Sequence, residues 1–130
     1  MTRAALFLLF IFTPAFAPAA DDHVVVSQVF GGGGNSGAPF DRDFIELFNP
    51  GLEAVDLSGW SVQYATASGA TWQVTPLAGS LPPGGYLLIA EAPGSGNGAP
   101  LPTPDVDGAI AMSAASGKVA LVRATDALSG

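Results

Sequence analysis

Trp60-Ser61-Val62-Gln63-Tyr64-Ala65 (WSVQYA) sets the reading of the whole chain. Trp60, Val62 and Tyr64 alternate with Ser61, Gln63 and Ala65, the period of two that predicts a strand with one buried face. Ser68-Gly69 turns the chain into residues 71–75 (TWQVT), again alternating, with Trp72 and Val74 expected inward. Upstream, residues 24–30 (VVVSQVF) are rich in β-branched side chains, a glycine-rich stretch over 31–39 interrupts, and residues 43–49 (DFIELFN) resume the strand pattern. Asn49-Pro50-Gly51 is a turn, because proline presets φ and glycine accepts a positive one. Downstream, Leu81-Pro82-Pro83-Gly84-Gly85 breaks the chain before residues 86–91 (YLLIAE), an apolar run suited to a central strand. A long Gly/Pro loop spans 92–104, residues 109–112 predict a short strand, and Ser116-Gly117 turns into residues 118–123 (KVALVR). No apolar pattern of helical period persists. Short strands punctuated by turns predict an all-β sandwich or barrel.

Composition narrows the functions this fold can serve. Only 12% of the 130 residues are charged and the formal net charge is −7. Apart from Arg3 the cations are Arg42, Lys118 and Arg123, with no cluster to neutralise phosphates. Direct binding to nucleic acid or to an anionic membrane is therefore not expected. There is no cysteine, so neither a disulfide nor a thiol nucleophile is available. Core packing must carry the stability, and a chain of this size can bury roughly two thirds of its extended surface.

The N-terminus reads as an address. Arg3 precedes the apolar run 4–12 (AALFLLFIF) and the small-residue zone Ala15-Phe16-Ala17-Pro18-Ala19-Ala20, the layout of a secretory signal over residues 1–20. The apolar run is shorter than the ~20 residues a spanning helix needs. Cleavage after Ala19 or Ala20 would leave a domain over residues 21–130 with net charge −8, without a membrane span.

Several groupings invite a chemical reading. Residues 32–37 (GGGNSG) match the G-x-G-x-x-G fingerprint after a strand, but no helix start follows to face a pyrophosphate, so a flexible surface loop is expected. Asp41, Asp43 and Glu46 form the densest acidic group; Asp43 and Glu46 would face opposite sides of a strand, with Glu46 beside Phe44 and Phe48 at an edge, paired to Arg42, Lys118 or Arg123. A structural role is expected for all three. Asp105-Val106-Asp107-Gly108 opens like a calcium loop, yet no glutamate follows to complete one. Weak calcium binding at Asp105/Asp107 or Asp41/Asp43 is left open by the sequence. His23, the single histidine, cannot build a zinc centre alone and is assigned to the tail. Trp72, Tyr64 and Tyr86 would make a sugar-stacking platform if exposed; the alternation of Trp72 and Tyr64 with polar neighbours assigns them to the core instead. No catalytic, cofactor-binding or metal residue is assigned, and no cofactor is expected.

Four segments in order carry a family resemblance. They are 26–35 (VSQVFGGGGN), 43–51 (DFIELFNPG), 55–60 (VDLSGW) and 81–86 (LPPGGY). Together they resemble the lamin tail domain in its bacterial, secreted form, over residues 24–123. The resemblance implies an Ig-like β-sandwich that binds or scaffolds and does not catalyse, often beside secreted hydrolases, notably nucleases and phosphatases of the endonuclease/exonuclease/phosphatase type. Family members usually continue into further closing strands, so a C-terminally truncated sandwich with an open sheet edge is expected here.

The leading expectation is an exported, non-catalytic binding, targeting or scaffolding module. Its partner is an unspecified protein or cell-surface polymer, and the loops 31–41 and 92–107 are the contact surfaces. The alternative is an N-terminal accessory domain of a secreted nuclease or phosphohydrolase, with the hydrolase domain in a longer parent chain. A module that itself hydrolyses phosphodiesters is the third reading.

Overall fold

The computed structural model describes residues 23–130; the leader expected over residues 1–20 lies outside the described residues. The strands are β1 (Val25–Phe30), β2 (Arg42–Phe48), β3 (Val55–Asp56), β4 (Ser61–Ala65), β5 (Gln73–Pro76), β6 (Ser80–Leu81), β7 (Tyr86–Pro93), β8 (Val106–Asp107) and β9 (Lys118–Val122). Among the described residues there is no helix. A four-stranded sheet ordered β1-β2-β7-β8 and a three-stranded sheet ordered β5-β4-β9 form the layers, joined by the two-stranded pair β3-β6. All pairings are antiparallel except β7 with β8. This is an Ig-like β-sandwich.

The core follows from strand alternation. On β2, Asp43, Ile45 and Leu47 point inward, while Phe44, Glu46 and Phe48 point outward. Register places Leu47 beside Leu87 and Ile45 beside Ile89, and Val62 and Tyr64 of β4 join the same cluster. Leu57, Leu77 and Leu81 seal one end, and Ile110 and Met112 belong to the same buried set. A bulge at Ser27 shifts the phase of β1, so that Val26 and Val29 both take the inward side despite their odd spacing. β2 lies between β1 and β7, so Glu46 is not at an edge as expected. Its partner is not a cation either: Ser27 Oγ donates to Glu46 Oε1 at 2.7 Å.

Three strand expectations need correction. First, β4 has no wet face; all five of its residues are buried. The segment after β9 covers the outer side. Ser61 Oγ donates to the Ala124 carbonyl at 2.6 Å, Gln63 Nε2 donates to the Asp126 carbonyl at 2.8 Å, and Leu128 N–H donates to Gln63 Oε1 at 2.9 Å. A glutamine can serve a passing backbone as both donor and acceptor, which is why polar residues sit there fully buried.

Second, β5 presents Thr75 to the core. Thr75 pairs with Val62, and Val74 pairs with Gln63 on the opposite side. Trp72 shares that outer side, half-buried, donating from Nε1 to the Gly130 carbonyl at 3.3 Å with Lys118 Nζ 5.2 Å above its ring. The alternation was real but its phase was reversed, because the Thr75 hydroxyl has a polar partner inside. Trp60 is half-buried at the rim of the core, its ring 4.8 Å from the Arg123 guanidinium.

Third, residues 109–112 are extended but do not join a ladder. The N–H groups of Ile110 and Met112 go to side chains instead, and this builds the site described next.

Candidate functional site

Two buried carboxylates organise one end of the sandwich. Asp43 on β2 accepts from Gly33 N–H through Oδ1 at 2.7 Å and from Met112 N–H through Oδ2 at 2.6 Å. Glu91 on β7, fully buried, accepts from Ile110 N–H through Oε2 at 2.9 Å and from the Thr75 hydroxyl. Tyr64 Oη accepts from Ser113 N–H at 3.0 Å. Residues 108–113 are therefore pinned at alternate N–H groups, with Gly108 N–H bonding the Ala90 carbonyl at 2.7 Å. Side-chain oxygens thus take the N–H groups of Ile110, Met112 and Ser113, while the Ile110 carbonyl accepts from Ala92 N–H of β7 at 3.0 Å.

The glycine-rich segment closes over the same carboxylates. Gly32 N–H donates to the Met112 carbonyl at 3.1 Å. Gly33 and Gly34 are buried, so the centre of the G-x-G-x-x-G match is a packed element and not the exposed flexible loop the sequence suggested. Chain continues into a bridge at Phe40 and then β2, so no helix follows it. Loop 94–99 binds its outer side: Asp41 N–H donates to the Ala99 carbonyl, Ala99 N–H to the Pro39 carbonyl, and Ser95 Oγ to the Gly34 carbonyl, each at 2.9 Å. The two loops named as contact surfaces thus form one continuous double loop. Residues 35–37 and 93–100 are exposed on it.

Asp105 and Asp107 are occupied with structure, whereas Asp41 Oδ1 and Glu91 Oε1 are buried without a hydrogen-bond partner. Arg42 donates from Nε to the Glu91 carbonyl at 2.9 Å and pairs through Nη1 with Asp107 Oδ1 at 3.0 Å. Asp105 Oδ2 accepts from Leu88 N–H at 2.8 Å. Asp105 immediately precedes β8 and Asp107 is its last residue, and among the described residues no group of three or more His, Cys, Asp or Glu side chains is placed to hold a metal. His23 is exposed at the start of the described chain. Tyr64 is buried, Tyr86 is 61% exposed and Trp72 lies on the other sheet, so these three rings do not make a platform.

A cleft of about 210 Å³ opens beside this region, between the end of β1 and the start of β9. Val29, Tyr64, Met112 and Val119 supply its apolar wall, and residues 113–117 its rim. That volume is below the ~300–1,000 Å³ of usual small-molecule pockets. It suits one side chain or a small group, not a nucleotide cofactor.

Glu91 escaped notice in the sequence because it ends an apolar run, and that position was its only signal. Burial pushes its carboxyl above the ordinary value of 4.5, opposed by the Ile110 N–H, the Thr75 hydroxyl and the Arg42 charge, and reinforced by Asp43. Since the folded form holds the proton more tightly, its contribution to stability is whole below about pH 4.5 and is lost as pH rises through the folded value. Glu91→Gln is expected to abolish that decline. Thermal melts of both proteins across this range should differ most at neutral pH, in favour of the variant. A constant difference would show that Glu91 does not titrate there.

The sequence has a family counterpart. The lamin tail domain profile matches residues 17–128, most of the chain. This chain belongs to the lamin tail domain family. A search of curated proteins returns no relative for it. In this lamin tail domain, two of the segments that carry the resemblance build the pinned end directly: 26–35 supplies the glycines and 43–51 supplies Asp43. Asn49 of the second segment works at the opposite end, where its amide donates to the Glu53 and Leu81 carbonyls and its oxygen accepts from Gly51 N–H.

Proposed function

We propose that this lamin tail domain is an exported, non-catalytic binding or targeting module whose contact surface is the double loop formed by residues 31–41 and 92–107. The observation that carries this reading is the pinning of that surface. Exposed residues 35–37 and 93–100 stand on a base of buried glycines held by Asp43 and by bonds between the two loops. A rigid scaffold presenting polar loops is the arrangement recognition uses. Asp43 commits both of its carboxylate oxygens, and Glu91 one of its two, to main-chain N–H groups. Support for export is the signal-like layout of residues 1–20.

The test has two parts. N-terminal sequencing of the protein from the exported fraction should begin at Ala20 or Asp21. The labelled mature chain should bind cell envelopes saturably, and replacing the exposed Asn35, Ser36 and Asn97 by lysine should weaken binding about tenfold, a factor of ~1.4 kcal/mol. Binding that survives the replacement overturns the assignment of the surface. Phosphodiester hydrolysis by the mature chain with added divalent cation overturns the non-catalytic reading.

A further inference from the structure

The outer face of the four-stranded sheet is half roofed and half bare. At one end Phe30 and Phe44 stack at 5.4 Å, and Phe40 of the double loop caps both edge-on at 5.6 Å. Nothing comparable covers the other end. There register sets Val25, Phe48 and Tyr86 side by side across β1, β2 and β7. Val25 is 42% and Tyr86 61% exposed, and the Phe48 and Tyr86 rings lie 4.7 Å apart at 31°. The row spans two strand spacings, about 10 Å. One step along the strands, about 7 Å away, Gln28 pairs with Glu46. The Glu46 carboxylate is held by the Ser27 hydroxyl, and Gln28 is exposed.

From this geometry we infer a second binding site, on the Val25–Phe48–Tyr86 row, for an uncharged polysaccharide. The Phe48 ring packs against Tyr86 and steadies it, and the exposed part of the Tyr86 ring is offered to the C–H face of a sugar ring. The fixed Glu46 carboxylate accepts from hydroxyls at the sugar's rim, and Gln28 both donates and accepts. Charge selects against polyanions, since Glu46 stands at the site and the chain carries −7 overall. A protein partner fits poorly: three side chains fall well short of the ~800 Å² per partner of a stable protein interface. An extended peptide would bond to a sheet edge, whereas this row lies on a sheet face.

The site stands apart from the double loop, so its test is separate. Affinity electrophoresis of the mature chain through gels containing hydroxyethyl cellulose, xylan, galactomannan or dextran should show retardation by at least one of them. Tyr86→Ala should weaken that retardation about tenfold, ~1.4 kcal/mol of lost ring contact. Tyr86→Phe should stay within about twofold and keep the parent melting temperature, and Tyr86→Ala, which loses the Phe48 ring contact, is compared at a temperature where circular dichroism shows it folded. The double-loop replacement should leave the retardation unchanged. No retardation by any of the four, equal retardation of Tyr86→Ala, or retardation by polygalacturonate alone would overturn the site. None of those results bears on envelope binding through the loops.

Discussion

Asp43→Ala is expected to destabilise the domain by about 2–6 kcal/mol, because it strands two buried N–H groups at about 1–3 kcal/mol each. Gly33 and Met112 both donate to this one carboxylate, and both bonds are buried. Against the ~5–15 kcal/mol that holds a typical domain folded, the loss is large. Asp43→Asn separates geometry from charge. It retains one acceptor oxygen but turns an amide N–H toward a second donor, so it should fall between alanine and the parent. Urea denaturation should show midpoints in the order parent, Asn, Ala with a shared slope. Amide exchange should speed first at Gly33 and Met112. If Asp43→Ala unfolds at the parent midpoint, the carboxylate is not what holds this end together.

That carboxylate also marks where the sequence became hard to read. Alternation within residues 43–49 placed Asp43 and Ile45 on one side and Glu46 with Phe44 and Phe48 on the other, as the structure has them. Strands β2, β4, β7 and β9 were legible because each carries enough β-branched or aromatic residues to bury a face. The two-residue strands β3, β6 and β8 were not, since so short a pairing leaves no period. Residues 109–112 gave a strand signal because Ile110 and Met112 alternate inward. Their N–H partners are carboxylates from 69 and 19 residues away, and no local pattern announces those.

The candidate surfaces were legible to different degrees for the same reason. The loops 31–41 and 92–107 stood out by composition, but their joining through Asp41, Ala99 and Gly34 is a tertiary fact. Gln63 read as a solvent-facing residue because nothing in residues 60–65 foretells that 124–128 will cross it. Alternation in the sequence predicts Tyr64 inside, where it is, and Trp72 inside, where it is not, and it says nothing of Tyr86. Only the register of three strands shows that it stands beside Phe48 and Val25.

The second large effect is steric. A Cβ on Gly33 would fall far inside contact distance of the Arg42 carbonyl group, and one on Gly94 would do the same to the Gly33 carbonyl oxygen. Neither glycine needs a positive φ, so the requirement is close approach of backbone to backbone. Overpacking costs about 1–3 kcal/mol and occasionally more, and here the obstacle is main chain that cannot rotate away. Gly33→Ala and Gly94→Ala are each expected at about 3 kcal/mol, the top of that range. Once Gly33→Ala has lifted its loop from β2, the collision that Gly94→Ala would cause is already relieved. The double variant should therefore lose less than the two singles together, with a coupling of about 0.5–3 kcal/mol. Strict additivity in denaturant melts would mean that the two loops yield independently. That would remove the rigid double loop as a unit, and with it the physical basis for a preformed contact surface at this end of the sandwich.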